Sequence, residues 1–547
     1  MKNLMKPGKY RRYLLILLLL VQAAATRPVV ASLKNVGGRA PLFAGSIFNV
    51  RDYGAKGDGI SLDTKAIQAA IDAAAKAGGG VVQLPAGKYL SGSVILKDYI
   101  TLRLESGATL LGSTNIKDYP ADLGVVKMSS DFEGTVFAGP LIYAESARYI
   151  SIEGAGVIDG QGFKKYFPWK PEPTTRPGLI RFTNCSFITL KDVTLQNSAR
   201  WTLHLKDSED ITIRGIVLNS NVNRNNDGID IDGSSRVSIT GCNLNSEDDA
   251  IVLKSFKPEL VRDIVISDCI LTSTCSAIKI GTETAGTFEN ISISNCSIIG
   301  SRGINLFTVD GADINGVTIS NISYRNSKSV IQLRLGARMR PYYIPEDKRP
   351  KHPGKLRNIM ISNVQAIHIE DSQDFISGIP DYPLENIQLH NIRICYKGGG
   401  TKEQALRVIP ENIRQYPKIG MFGDLPSYGF YFRHIKGLTL NNIQIDFSDQ
   451  DQRPALAFDD VQGILLSASQ FKQPSGDSPV LSLSQVRNAV IRDNILGDNA
   501  ENKGGLLARI GGDQSSGIIF SNNLSSGSET GRKSFYRTPA LAVEKEV

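Results

Sequence analysis

One short phrase recurs along this chain at a near-constant interval, and that periodicity leaves few folds open. It ends as VSITGC at Cys242, IVISDC at Cys269 and ISISNC at Cys296, each 27 residues beyond the last. Without cysteine it runs as ITLKDV (to Val193), ITIRGI (to Ile216), VTISNI (to Ile322), IMISNV (to Val364), IQLHNI (to Ile392) and LTLNNI (to Ile443). It decays to AVIRDN (to Asn494) and GIIFSN (to Asn522), with most steps at 23 to 29 residues. The long gaps before Val364 and Ile443 must hold insertions. Each unit is a short strand of alternating apolar residues, a turn of Asn, Asp, Ser or Gly, and a second short strand. Stacked at this period, such units form an all-β, single-domain parallel β-helix, each coil burying its apolar residues against its neighbours. The repeat replaces the three or so domains that the length alone would suggest.

The two ends read differently. The segment from Asp63 to Gly78, DTKAIQAAIDAAAKAG, has helical periodicity with Asp63 as N-cap, and is expected to cap the open end of the solenoid. The solenoid is expected over 46–525, with a loosely held polar tail over 526–547. The first residues carry a basic head, a short apolar run from Tyr13 to Val21 and then small residues, the pattern of a secretory signal peptide over 1–25. The run is too short to span a bilayer comfortably; an uncleaved anchor is the alternative. Cleavage after Ala25 removes Lys2, Lys6, Lys9, Arg11 and Arg12 and takes the formal charge from +8 to +3. A cut after Ala31 would also remove Arg27. The basic balance that would have suggested nucleic acid largely disappears. The expected product is a monomer, secreted or periplasmic, in a bacterial envelope, with no membrane partner after cleavage.

Six cysteines without a CxxC, and five histidines without metal spacing, exclude a disulfide framework and a zinc or iron–sulfur site. Cys242, Cys269 and Cys296 instead form an interior stack of free thiols, with a disulfide between neighbouring coils as the alternative.

The repeat register locates the chemistry. The apolar pair Leu203/Leu205 recurs as Ile229/Ile231, Ile251/Leu253, Ile278/Ile280 and Ile304/Leu306. Between the members, facing outward, stand His204, Asp230, Val252, Lys279 and Asn305. Two positions before each pair stand Trp201, Asp227, Asp249, Ser276 and Arg302. Asp227 and Asp249 therefore share a column on adjacent coils, with Asp248 beside them, provided that Asp248 and Asp249 lie in a turn rather than a strand. Like charges this close are costly where a solenoid needs none. They fit acid–base work on a sugar, though Asp is also an ordinary turn residue and adjacent acids can bind Ca²⁺.

The phrases NSARWTLHL, NNDGIDIDGS, SEDDAIVLKS and IKIGTET, with FNVRDYGAKGDGISLDTKAIQAAIDAA and GGGVVQLPAGKYLSGS before them, resemble glycoside hydrolase family 28, the polygalacturonases and rhamnogalacturonan hydrolases. The likeness runs in register from Phe48 to Val364. It implies a right-handed parallel β-helix and hydrolysis with inversion, without a cofactor. Asp227 matches the Asp of the family's N-T-D motif, with Asn225 kept, and Asp248 and Asp249 match its D-D pair. By resemblance Asp248 is the general acid, Asp227 and Asp249 activate water, and Asp230 helps hold substrate.

The chain also departs from the polygalacturonase pattern. Cys275, Ser276 and Ala277 replace G-H-G; Asn305, Leu306 and Phe307 replace R-I-K; no tyrosine stands in VIQLRLGAR, where the family keeps one. The absent groups serve the sugar on the leaving-group side. Rhamnogalacturonan hydrolases share the first two absences, although the second acid of their pair is usually Glu. Lys279 and Arg302 occupy the vacated columns one coil away and are candidate carboxylate binders, or plain surface cations. The insertion Arg334–Gly354 supplies Arg338, Arg340, Tyr342 and Tyr343 as further candidates, or is a plain loop. With His204 and Asn225 completing the candidate subsites, the expected partner is an acidic plant polysaccharide or oligosaccharide. A Ca²⁺-dependent lyase or epimerase, and a non-catalytic sugar-binding β-helix, are the rivals.

Overall fold

A column of single residues shows how the coils stack. Leu203 pairs in parallel with Ile229, Ile229 with Ile251, Ile251 with Ile278 and Ile278 with Ile304, in the register expected from the sequence. All five are fully buried, and the residues between them form the matching outward column His204, Asp230, Val252, Lys279 and Asn305. The computed structural model describes residues 46–120, 122–123, 138–169, 176–342, 344–370, 374–497 and 506–524, and the backbone of Phe535–Arg537. The leader over 1–25, Tyr343 and most of the 526–547 tail lie outside the described residues. Among the described residues no helix is long and apolar enough to cross a membrane.

The chain is a right-handed parallel β-helix. Each coil contributes to three sheets: Leu203–Lys206, Glu209–Arg214 and Val217–Ser220 make one turn of the first, second and third sheets. Over 287–449 the second and third strands run as one bent strand, as in Thr287–Ile299 and Asp313–Arg325. The bends need a left-handed backbone residue, and this is what the recurring Asn and Asp supply. Asp268, Asn295, Asn321, Asn363, Asn391 and Asn442 all have φ between 53° and 57°. Their amides also bond coil to coil: Asn321 donates to Asn295 (3.0 Å), Asn363 to Asn321 (2.9 Å) and Asn391 to Asn363 (3.0 Å). Cys242, Cys269 and Cys296 are buried free thiols, not a disulfide.

The cap is a helix, Thr64–Lys76, whose Ile67, Ala70, Ile71 and Ala74 face the first coil. Asp63 occupies the N-cap position but does not cap with its side chain. Its carboxylate instead accepts from the N–H groups of Lys56 (2.8 Å) and Gly57 (2.9 Å), tying the preceding turn to the helix. One coil was concealed in the sequence: Leu456–Ser467 lies between Phe430–Asp449 and Arg487–Arg492, with Ala468 at the left-handed position. At the other end Phe535–Arg537 pairs with Ala508–Ile510, so the solenoid continues past the expected boundary at 525.

The two insertions leave the coils at 336–354 and 399–429. They meet one another, Ala337 N–H donating to the Ile413 carbonyl (2.7 Å). The buried Arg334 is strand, not loop, and donates to Ser377 Oγ (2.8 Å) and to the Glu411 carbonyl (2.7 Å). Phe422, Met421 and Leu425 of the second insertion pack on Phe307, Phe375 and Tyr431 of the solenoid. Both insertions are thereby fixed beside the first sheet, next to the acidic columns.

Candidate active site

Asp248 and Asp249 fall in the turn between Asn243–Ser246 and Ile251–Ser255, where neighbouring side chains can share a face. Serines hold that turn: Ser246 Oγ and Ser273 Oγ both donate to the Asp248 carbonyl, at 2.6 and 2.7 Å. Asp227 lies in the equivalent turn one coil earlier. Asn226 fixes it by donating to the Ser198 carbonyl (2.7 Å) and accepting from Asn223 N–H (2.8 Å). Gly228 lets the two turns approach, since a Cβ there would lie 2.4 Å from the Ala250 carbonyl oxygen. Gly228→Ala is expected to cost about 1–3 kcal/mol through that clash, read as a lower melting temperature together with reduced turnover.

The three carboxylates open onto one cleft of about 270 Å³, lined also by Arg200, Trp201, Asn225, Lys254, Lys279, Glu283, Arg340 and Tyr416. A larger groove of about 570 Å³ on the outer face of the third sheet has only one acid, Asp446, so no acid–base pair converges there.

Two buried lysines sort the carboxylates. Lys279 Nζ lies 2.9 Å from Asp249 Oδ2, and Ser276 N–H donates to Asp249 Oδ1 (3.1 Å). Burial works to raise Asp249, but Lys279 and these hydrogen bonds outweigh it and hold the carboxyl below its ordinary value. Asp248 is raised, by burial and then by the charge of Asp249. Asp227 is pushed up to about 7 by burial, against the pull of Lys254, with Asp248 and Asp249 adding repulsion. Lys254 Nζ lies 3.1 Å from Asp227 Oδ2 and 2.7 Å from Asp230 Oδ1, and 4.0 Å from the centre of the Trp201 ring. The second oxygen of Asp227 is buried without a hydrogen-bond partner. Asp249 is thus favoured as the carboxylate and Asp248 beside it as the acid, the inequality that acid–base catalysis uses.

The other expected site residues divide. Asn225 lines the cleft, its Oδ1 accepting from Arg176 (2.9 Å). Lys279 lines it too, but as the partner of Asp249 rather than as a surface cation. Asp230 is fully buried beneath Lys254, so it reaches the cleft only through that lysine. His204 is 1% exposed and does not face the cleft. Its Nδ1 accepts from Arg181 (3.2 Å), so its Nε2 donates to Asp232 (3.2 Å), and burial and then Arg181 keep the ring neutral. Arg302 turns toward Cys275 Sγ (3.8 Å) and is not among the lining residues. Arg338 is taken by Asp310, its Nε donating at 2.9 Å, and Tyr342 packs edge-on against Phe256 at 5.4 Å with its hydroxyl on Asp310. Neither meets the cleft; Arg340 from the same insertion does.

Lys254, Glu283 and Tyr416 were not assigned to the site from the sequence, whereas Arg340 was a candidate from its insertion. Lys254 stands inside SEDDAIVLKS, where its position opposite Asp232 in the register was the available signal. Tyr416 comes from the second insertion, over 399–429, and puts a tyrosine where VIQLRLGAR has none. Among the described residues one group has the geometry for a metal ion, with atoms of Asp248, Asp249 and Cys275 within 4.8 Å of one another.

Comparison with known proteins gives consistent findings. The family described as "Glycosyl hydrolases family 28" matches residues 80–413, more than half of the chain. A probable polygalacturonase of Vitis vinifera is 29% identical over 63% of this chain and 73% of its own length. An exo-poly-alpha-D-galacturonosidase of Dickeya chrysanthemi is 30% identical, over 38% of this chain and 41% of its own length. The solved family 28 exopolygalacturonase of Yersinia enterocolitica superposes with a TM-score of 0.58 at 20% identity, covering 77% of this chain and 78% of that one.

Proposed function

Because the chain belongs to glycosyl hydrolase family 28, we propose that it hydrolyses galacturonan or rhamnogalacturonan backbones or their fragments, with Asp248 as general acid and Asp227 with Asp249 as the water-activating pair. The observation that carries this is the convergence of three carboxylates in one cleft in unequal surroundings, with burial raising Asp227 and Asp248 and Lys279 lowering Asp249. Asp248 gives its proton to the glycosidic oxygen as the bond to the leaving sugar breaks. The water that attacks the anomeric carbon gives its proton to the Asp227–Asp249 pair once both are ionised, Asp249 through Lys279 and Asp227 above about 7. The names of the relatives in grape and Dickeya support a galacturonan. The leaving-group side differs from the polygalacturonase pattern: Asn305 Nδ2 donates to Ser276 Oγ (2.8 Å) where Arg and His would stand. There Lys279 and Arg340 supply positive charge for a uronate.

Mass spectrometry of products from both polymers, with and without EDTA, tests this. Saturated oligosaccharides, unaffected by EDTA, are expected; products 18 mass units lighter would identify a lyase. Fresh product observed by proton NMR tests inversion directly, because Asp248 and Asp249 approach within 4.8 Å, closer than the roughly 6.5–9.5 Å of most inverting pairs.

A further inference from the structure

We propose that the loop over 160–169, together with Arg224, is a second binding platform for the anionic glycan, placed beyond Asn225 on the side of the carboxylates opposite Lys279. This rests on the hydrolase reading for the identity of the ligand, an acidic oligosaccharide.

Four aromatic residues stand in seven positions here, and three of them, Phe163, Tyr166 and Trp169, make the platform. Phe163 is 38% and Tyr166 41% exposed. A lone exposed aromatic is ordinary, but each of these rings is accompanied by a cation. Lys165 Nζ lies 4.6 Å from the Tyr166 ring centre and 5.9 Å from that of Phe163, and the Arg224 guanidinium lies 4.2 Å from that of Trp169. Lys164, beside them, is exposed. Aromatic faces take the C–H faces of sugars, and cations held next to them take the carboxylates that a uronic acid carries on the same ring.

The platform is rigidly coupled to the catalytic turn. Asn223 Nδ2 donates to the carbonyls of Gly162 (2.9 Å) and Phe167 (2.8 Å), fastening the loop to the turn that ends in Asp227. Phe167 is buried and meets Tyr119 edge-on at 6.4 Å, anchoring the loop from below. Arg176 grips the joint from the other side, donating to the Arg224 carbonyl and to Asn225 Oδ1. A glycan leaving the cleft past Asn225 therefore meets Arg224 and Trp169 next. With Lys279 on the leaving-group side, the platform holds sugars on the glycone side. It makes the enzyme select for chain length.

The test uses the full-length Trp169→Ala and Tyr166→Ala proteins, both checked for unchanged melting. On the longest oligouronides kcat/KM is expected to fall about fivefold to tenfold or more, the scale of lost ring contacts, and on the shortest cleaved oligomer to stay within about twofold. Equal losses at every length, or none at any, would overturn the platform. Affinity electrophoresis in polygalacturonate separates this from the catalytic reading. Retention of the wild type that both variants lose supports the platform even if no turnover is found, and retention that neither variant loses overturns it.

Discussion

Asp248→Asn is expected to lower turnover about 100- to 10,000-fold, the usual worth of a positioned general acid, while glycan binding and melting temperature stay close to those of the parent. The substitution keeps size and shape. It also keeps the oxygen that accepts from the Asp249 N–H at 3.1 Å, and the serines that hold the turn bind the Asp248 carbonyl, not its side chain. What is lost is the proton. Asp248 is raised by burial and by Asp249, whereas Asp249 is lowered by Lys279 despite its burial, so Asp248 binds its proton more tightly than Asp249. Rate therefore falls on the acid side as Asp227, at about 7, and then Asp249 take up protons, and on the alkaline side as Asp248 ionises, the limbs belonging to the coupled cluster. The variant should lose its high-pH limb along with its rate. Unfolding of Asp248→Asn, or turnover within a few-fold of the parent, would remove Asp248 from the acid role.

Much of this was legible because a β-helix converts sequence spacing into spatial adjacency. One register error would have separated Asp227 from Asp249, and the apolar pairs Ile229/Ile231 and Ile251/Leu253 fix that register unambiguously. The coil at Leu456–Ser467 was hidden because Ala468, at φ 52°, stands where other coils carry Asn or Asp, so the turn signal was missing while the apolar alternation remained. Outward-facing also proved different from exposed. His204 and Asp230 point away from the core as the alternation required, yet both are buried, because other side chains and the insertions cover the first sheet. Tyr416 was beyond reach for a different reason: it sits on an insertion without a repeat, so no column assigns it a place. Arg338 and Arg340 are two residues apart and equally basic, and only the packing against Asp310 decides which of them is spent on structure.

Lys254→Met is expected to damage both stability and rate, and the pH at which it does so identifies the cause. Lys254 is 4% exposed and is the counter-charge of two buried carboxylates, Asp227 and Asp230. Removing one partner of a buried pair costs about 3–5 kcal/mol when the remaining charge has nowhere to go. Here the charge can be relieved by a proton, and the relief depends on pH. Asp227, at about 7, already lies above its ordinary value because burial outweighs Lys254, so its ionisation opposes folding between the ordinary carboxylate range and about 7. Without the lysine the folded-state value moves higher, and the destabilising range extends upward with it. At pH 5 the folded variant keeps its carboxyls protonated and the loss is small. At pH 8 the parent holds Asp227 ionised against Lys254, whereas the variant must bury an unpaired carboxylate or keep a proton from an alkaline solution. The drop in melting temperature should accordingly be larger at pH 8 than at pH 5. Turnover should fall most at pH 8, where the parent's Asp227 is ionised and the variant's keeps a proton and cannot take one from water. An equal drop in melting at the two pH values would mean that Lys254 acts through packing on Trp201, 4.0 Å from its ammonium, and not as the charge that keeps Asp227 ready as a base.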